Sequence, residues 1–117
     1  MQRGTTPTEK IRLNFRLLNV QGIEVLYKQQ KHPRVIKTMD EMDIQSSEEE
    51  SLLTFKLTEK ETLRLLPGYC NVQLRIRLEN DEIYMSKLGY VWVKDNSFGF
   101  PMKGGTDEYT CNKLWES

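Results

Sequence analysis

Cys70, Val72, Leu74, Ile76 and Leu78 alternate with Asn71, Gln73, Arg75 and Arg77, so one row of side chains is apolar and the next polar. A period of two marks a strand with one dry and one wet face, and slipping its register by one residue puts the whole apolar row into water. The same alternation runs through Ile11, Leu13, Phe15 and Leu17, and again through Leu53, Phe55 and Leu57. Residues 23–27 read as a further strand of β-branched and aromatic character, and Val35-Ile36 as a short edge strand. The polar run Lys28-Gln29-Gln30-Lys31-His32-Pro33 reads as a loop.

Thr58-Glu59-Lys60-Glu61 has the Thr-x-x-Glu form in which the threonine hydroxyl and the glutamate each satisfy an orphan helix N–H. It predicts one or two helical turns, closed by Pro67-Gly68. Glu79-Asn80-Asp81-Glu82 supplies a hairpin turn after the long strand. The return strand, residues 83–94, has conflicting parity: Ser86, Leu88, Tyr90 and Trp92 share one face, Val91 and Val93 the other. A bulge at Gly89 reconciles the two sets. These elements predict an all-β fold, an immunoglobulin-like antiparallel β-sandwich of about seven strands with one short helical crossover near residues 59–64. Residues 1–9 read as a flexible lead-in, 10–95 as the sandwich domain, and 96–117 as a C-terminal tail holding Phe98, Phe100, Tyr109 and Trp115.

A chain of 117 residues has room for one such domain. Lys+Arg and Asp+Glu both number 17, and the formal net charge of zero argues against a nucleic-acid partner, which a basic excess would signal. No apolar run approaches the ~18–20 residues that span a bilayer, and the first residues lack an apolar signal core, so a membrane is not expected and synthesis in a cytoplasm is. Cys70 and Cys111 are the only cysteines, and in that compartment they read as free thiols, Cys70 as a small core hydrophobe.

Candidate chemistry is sparse. His32 is the only histidine and has no partners at metal-ligand spacing. The acidic run from Asp40 to Glu50 lacks the Asp-x-Asp-x-Asp-Gly rhythm of a calcium loop and reads as a solvated surface. No Gly-x-Ser-x-Gly elbow occurs, and Gly104-Gly105 lacks the Gly-Lys-Ser/Thr ending of a phosphate loop. No enzyme, cofactor or metal site is therefore expected. Arg75 and Arg77 form a polar row that reads either as a contact surface for an acidic partner or as an ordinary wet face with cross-strand ion pairs. Phe98, Phe100, Tyr109 and Trp115 either fold back on the domain or dock on another chain. A second expectation is a carbohydrate- or cell-surface-binding module, with Tyr84, Tyr90 or Trp92 stacking on sugar rings.

Leu57-Thr58-Glu59-Lys60-Glu61-Thr62-Leu63, Gly68, Val72-Gln73-Leu74-Arg75, Asn80-Asp81 and Ser86 follow one another here. The segment from Phe55 to Trp92 thereby resembles a family of small proteins encoded in phages and prophages of Gram-positive bacteria. That family has a strand ending Leu-Thr-x-Glu-Glu-Thr-Leu, a glycine turn, a Val/Ile-x-Gln-x-Arg strand, an acidic hairpin and a serine opening the last strand. Phe15-Arg16 matches its opening strand, although Leu17 replaces a glutamine and Lys60 an acidic residue. A more distant likeness is to the N-terminal immunoglobulin-like domains of siphophage baseplate proteins, which bind neighbouring subunits. The resemblance implies a non-enzymatic structural or assembly module acting through other phage structural proteins or self-association. Its contacts are expected at Arg75, Arg77, Phe98, Phe100 and Trp115, with the host cytoplasm and then the virion as its setting.

Overall fold

The structure, a computed structural model, describes residues 1–95 and 105–112. Among these residues, eight strands form two four-stranded sheets, in the orders β4-β5-β1-β8 and β3-β2-β6-β7. The strands are β1 (Thr8–Leu13), β2 (Val20–Gln29), β3 (His32–Thr38), β4 (Asp43–Ser46), β5 (Ser51–Lys56), β6 (Gly68–Leu78), β7 (Ile83–Val93) and β8 (Thr106–Cys111). A 3-10 turn, Met39–Glu41, precedes β4, and the one-turn helix α1 (Glu59–Leu63) crosses from one sheet to the other. Lettering β1 to β7 as B, C, C′, D, E, F and G reproduces the D-E-B and C′-C-F-G orders of an immunoglobulin-like sandwich. The position of strand A is taken by β8, which runs parallel to β1 from Thr8↔Thr106 to Leu13↔Cys111. The expected antiparallel sandwich thus contains one parallel pair, made by a strand from the region read as tail.

Alternation explains the core. Ile11 and Leu13, Ile23, Val25 and Tyr27, Leu53 and Phe55, and Cys70, Val72, Leu74 and Ile76 all point between the sheets and are buried. The long strand over residues 70–78 is as the pattern predicts, with Arg77 exposed and Leu78 at the core's margin. The Gly89 bulge is present: its φ is 142°, a region that favours glycine, and the β6–β7 register shifts between Val72 and Gln73. That shift lets Val91 and Val93 face inward beyond the bulge while Leu88 packs against the core before it.

The capping box also forms. Thr58 Oγ1 accepts from the Glu61 N–H at 3.1 Å, and Glu61 Oε1 accepts from the Thr58 N–H at 2.9 Å. Lys37, buried on β3, donates to Glu61 at 2.9 Å and pairs with Glu41 at 3.0 Å, tying β3 to α1 and to the 3-10 turn.

Three segments differ from the sequence reading. β1 ends at Leu13, and Phe15 and Leu17 pack against the core outside a strand. Residues 1–5, read as a lead-in, are held by α1 and β7: Gln2 bridges Lys94, and Arg3 donates to the carbonyls of Leu65 at 2.6 Å and Leu63 at 2.9 Å. The Lys28–Pro33 loop is instead a two-residue hairpin centred on Gln30 and Lys31, whose φ values of 53° and 66° give the twist such turns need. Pro33 is tolerated because β3 is an edge strand.

Candidate functional site

The outer face of the β3-β2-β6-β7 sheet gathers the side chains that alternation turns away from the core. Cross-strand pairing sets Tyr69 beside Trp92, Asn71 beside Tyr90, Gln73 beside Lys87, Arg75 beside Met85 and Arg77 beside Ile83. On the other side of β6, Glu24 lies opposite Arg75 and Leu26 opposite Gln73, and Ile36 continues the row from β3.

Tyr69, Tyr90 and Trp92 are 70%, 65% and 49% exposed, unusual values for rings of this size. They form one cluster. The Tyr69 ring lies edge-to-face with Trp92 at 4.7 Å and with Tyr90 at 6.3 Å. Beside it runs a groove of about 410 Å³ bordered by Lys28, Lys31, Lys87, Tyr69 and Tyr90. Its floor carries the side-chain amide oxygens of Asn71 and Gln73, buried without a hydrogen-bond partner. Gln30 and Lys31 at its mouth hold a left-handed backbone without being glycine, a strain of about 1 kcal/mol each.

β2 fixes the entry to this cluster. Gln29 clamps the chain that leads into Tyr69: its Nε2 donates to the Leu66 carbonyl at 2.7 Å and its Oε1 accepts from the Leu66 N–H at 2.8 Å.

Of the residues expected to make contacts, Arg75 and Arg77 share this face, and neither makes an ion pair among the described residues. The cross-strand ion pairs that an ordinary wet face offers them are therefore missing, even though Glu24 sits opposite Arg75. Phe98, Phe100 and Trp115 lie outside the described residues. Of the three rings considered for sugar stacking, Tyr90 and Trp92 are exposed and adjoin the groove; Tyr84 is half-buried, pairs with Ile76 and bonds Glu82 through its hydroxyl. Tyr69 was missed. It precedes the alternating row by one residue, and its parity with Asn71 and Gln73 already places it outward.

Net charge concealed a second feature. Lys28, Lys31, Lys87, Arg75 and Arg77 share one side of the molecule, whereas Glu48, Glu49 and Glu50 cluster with Ser47 and Asn14 at the β4–β5 hairpin. The zero total thus hides a local basic cluster and a local acidic one.

A different constellation lies in the core. Glu9 on β1 is fully buried, its Oε1 accepting from the Tyr27 hydroxyl at 2.9 Å, with the Asp107 carboxyl and the Tyr109 hydroxyl as its other polar neighbours. Burial, reinforced by the hydrogen bond and charge of Asp107 across the parallel pair, pushes the Glu9 carboxyl up to about 9 against the opposing Tyr27 bond. Cys70 is pushed up to about 12 by burial and by the Glu9 charge, which leaves it a neutral, unreactive thiol. Tyr27 and Tyr109 are raised by the same burial and the same carboxylate. A carboxyl sealed between sheets meets no solvent, so this cluster acts on stability. Among the described residues, no group of three or more His, Cys, Asp or Glu side chains is placed to hold a metal ion, and no helix is long and apolar enough to cross a membrane.

Comparison with protein-family models, with curated proteins and with solved structures yields no match to this chain.

Proposed function

We propose that this protein is a non-enzymatic structural or assembly module that binds other proteins through the outer face of the β3-β2-β6-β7 sheet. The observation that carries the proposal is the packing of Tyr69, Tyr90 and Trp92 into one exposed aromatic cluster on a face that also holds Arg75 and Arg77, neither in an ion pair among the described residues. Exposed aromatics and arginine are the residues that dominate protein-contact energetics, each anchor contributing about 2 kcal/mol or more when desolvated by a partner. Ile36, Met85 and Ile83, each more than a third exposed, extend the apolar part of the same face. A phage or prophage setting, with other phage structural proteins as partners, rests on the motif resemblance alone.

The mixed character of the face favours a protein over a nucleic acid. Its cations are interleaved with Leu26, Ile36, Met85 and Ile83 and with Glu24, whereas a phosphate-tracking groove is uniformly basic. A carbohydrate ligand is the second reading, favoured by the amide side chains of Asn71 and Gln73 beside Tyr90. The edge-to-face rings form a ridge, which suits insertion into a partner's pocket better than the flat stacking of a sugar.

The test is co-purification with the products of genes adjacent to this one. Wild-type protein is expected to retain a partner, and the Tyr69→Ser/Trp92→Ser variant, with an unchanged circular dichroism spectrum, to retain it more than about tenfold less well. Equal retention by the variant overturns the reading. So does a glycan-array or single-stranded oligonucleotide signal that depends on the same two rings.

A further inference from the structure

The groove beside Tyr69 and Tyr90 is bordered by Lys28, Lys31 and Lys87, and the other described residues that line it are neutral. None of the three lysines makes an ion pair among the described residues. The chain carries its own complement. In the β4–β5 hairpin Ser47 and Glu50 close a tight turn, with the Ser47 N–H donating to the Glu50 carbonyl at 2.8 Å. That turn presents Glu48 and Glu49 on an exposed tip, and among the described residues Glu50 alone of the three successive glutamates is paired, with Arg12 at 3.5 Å.

The two poles cannot meet within one molecule. Register places Thr8 beside Lys56 and Leu13 beside Ser51, so the hairpin lies at the end of the sandwich where β1 finishes. The groove lies at the other end: Gln29 at the close of β2 is bonded to Leu66, just after α1, and Tyr69 opens β6. Strand β5 alone separates the ends by about 17 Å.

We infer that the Glu48-Glu49 tip of one copy docks in the Lys28–Lys31–Lys87 groove of a second copy, joining molecules head to tail. The inference rests on the contact-face reading and names its partner. Charge complementarity selects the occupant: two glutamates and three lysines, none in an ion pair among the described residues, with the glutamates on the β4–β5 turn and Lys28 and Lys31 at the β2–β3 turn. Because the two surfaces differ, the contact is heterologous, and it propagates into a ring or a filament instead of stopping at a two-fold dimer.

Sedimentation velocity of the purified full chain tests this. The weight-average sedimentation coefficient should rise with protein concentration at about 0.02 M salt and collapse toward that of a monomer at about 0.5 M, since the interaction is between exposed charges. Glu48→Lys/Glu49→Lys and Lys28→Glu/Lys31→Glu should each weaken association by on the order of a hundredfold. An equimolar mixture of the two variants should recover it, because intact poles and reversed poles are each complementary, and that recovery also shows both variants to be folded. A chain that stays monomeric at every concentration, association indifferent to both variants, or a mixture that does not recover overturns the inference. Partner capture that depends on Tyr69 and Trp92 in a chain that does not self-associate overturns the head-to-tail contact alone and leaves the contact face standing.

Discussion

Glu9 exemplifies how one residue sets the chain's response to pH. Folded, it keeps its proton up to about pH 9; an unstructured glutamate releases it near 4.5. Between those values the folded state binds the extra proton, so stability falls as pH rises through the window and is greatest below it. Denaturant unfolding at a series of pH values should show that decline. Glu9→Gln keeps an acceptor for Tyr27 and offers Asp107 a donor without an ionisable group. It should raise stability at pH 8 by about 1–3 kcal/mol and flatten the profile between about pH 5 and 9. A wild-type profile that is level or rises with pH contradicts this account. Glu9 also shows what a residue-level reading can miss. Its parity with Ile11 and Leu13 already pointed it inward, but a charged side chain ahead of the first apolar residue reads as solvent-exposed until the opposing Tyr27 is known.

At the scale of elements, the β3–α1 junction depends on Lys37. Burial alone lowers the pKa of its ammonium, but the Glu61 and Glu41 bonds and charges outweigh that and hold it raised. The junction is therefore intact at neutral pH; it is lost as pH climbs through the raised Lys37 value, and its Glu41 contact also as pH falls through the value that Lys37 holds low for that carboxyl. Lys37→Met should cost about 2–4 kcal/mol in urea unfolding, because Glu61 keeps its partly buried charge without a counter-ion. The β2–β3 turn offers the opposite change. Replacing Gln30-Lys31 by Asn-Gly places residues suited to left-handed backbone at φ 53° and 66° and should raise stability by about 1 kcal/mol, visible as a higher Tm. A lower Tm argues that the turn is not of this type. Elements whose signals are local were legible: the Thr58–Glu61 box, the Gly89 bulge and the 70–78 strand follow from patterns within about ten residues. The Gln30-Lys31 hairpin was not, because neither residue carries the usual turn chemistry and the twist is imposed by the pairing of β2 with β3.

At the scale of the whole molecule, long-range placement was the hidden part. Asp107, Tyr109 and Cys111 alternate with Glu108 and Thr110 as a strand does, but nothing in residues 106–111 signals a parallel partner almost a hundred positions earlier. The contact face was half visible: Arg75 and Arg77 stand in an obvious row, whereas Tyr69, Tyr90 and Trp92 become neighbours only once β6 and β7 are paired. Charge segregation was invisible for the same reason, since composition counts charges without placing them. The account thus depends on the aromatic face being covered by protein in the assembled state. Oxidative footprinting of the chain alone and in its assembly reads this directly, because tyrosine, tryptophan and methionine report their own exposure. The account predicts that oxidation of Tyr69, Tyr90, Trp92 and Met85 drops several-fold on assembly. Equal oxidation of all four in the free and assembled states would contradict it.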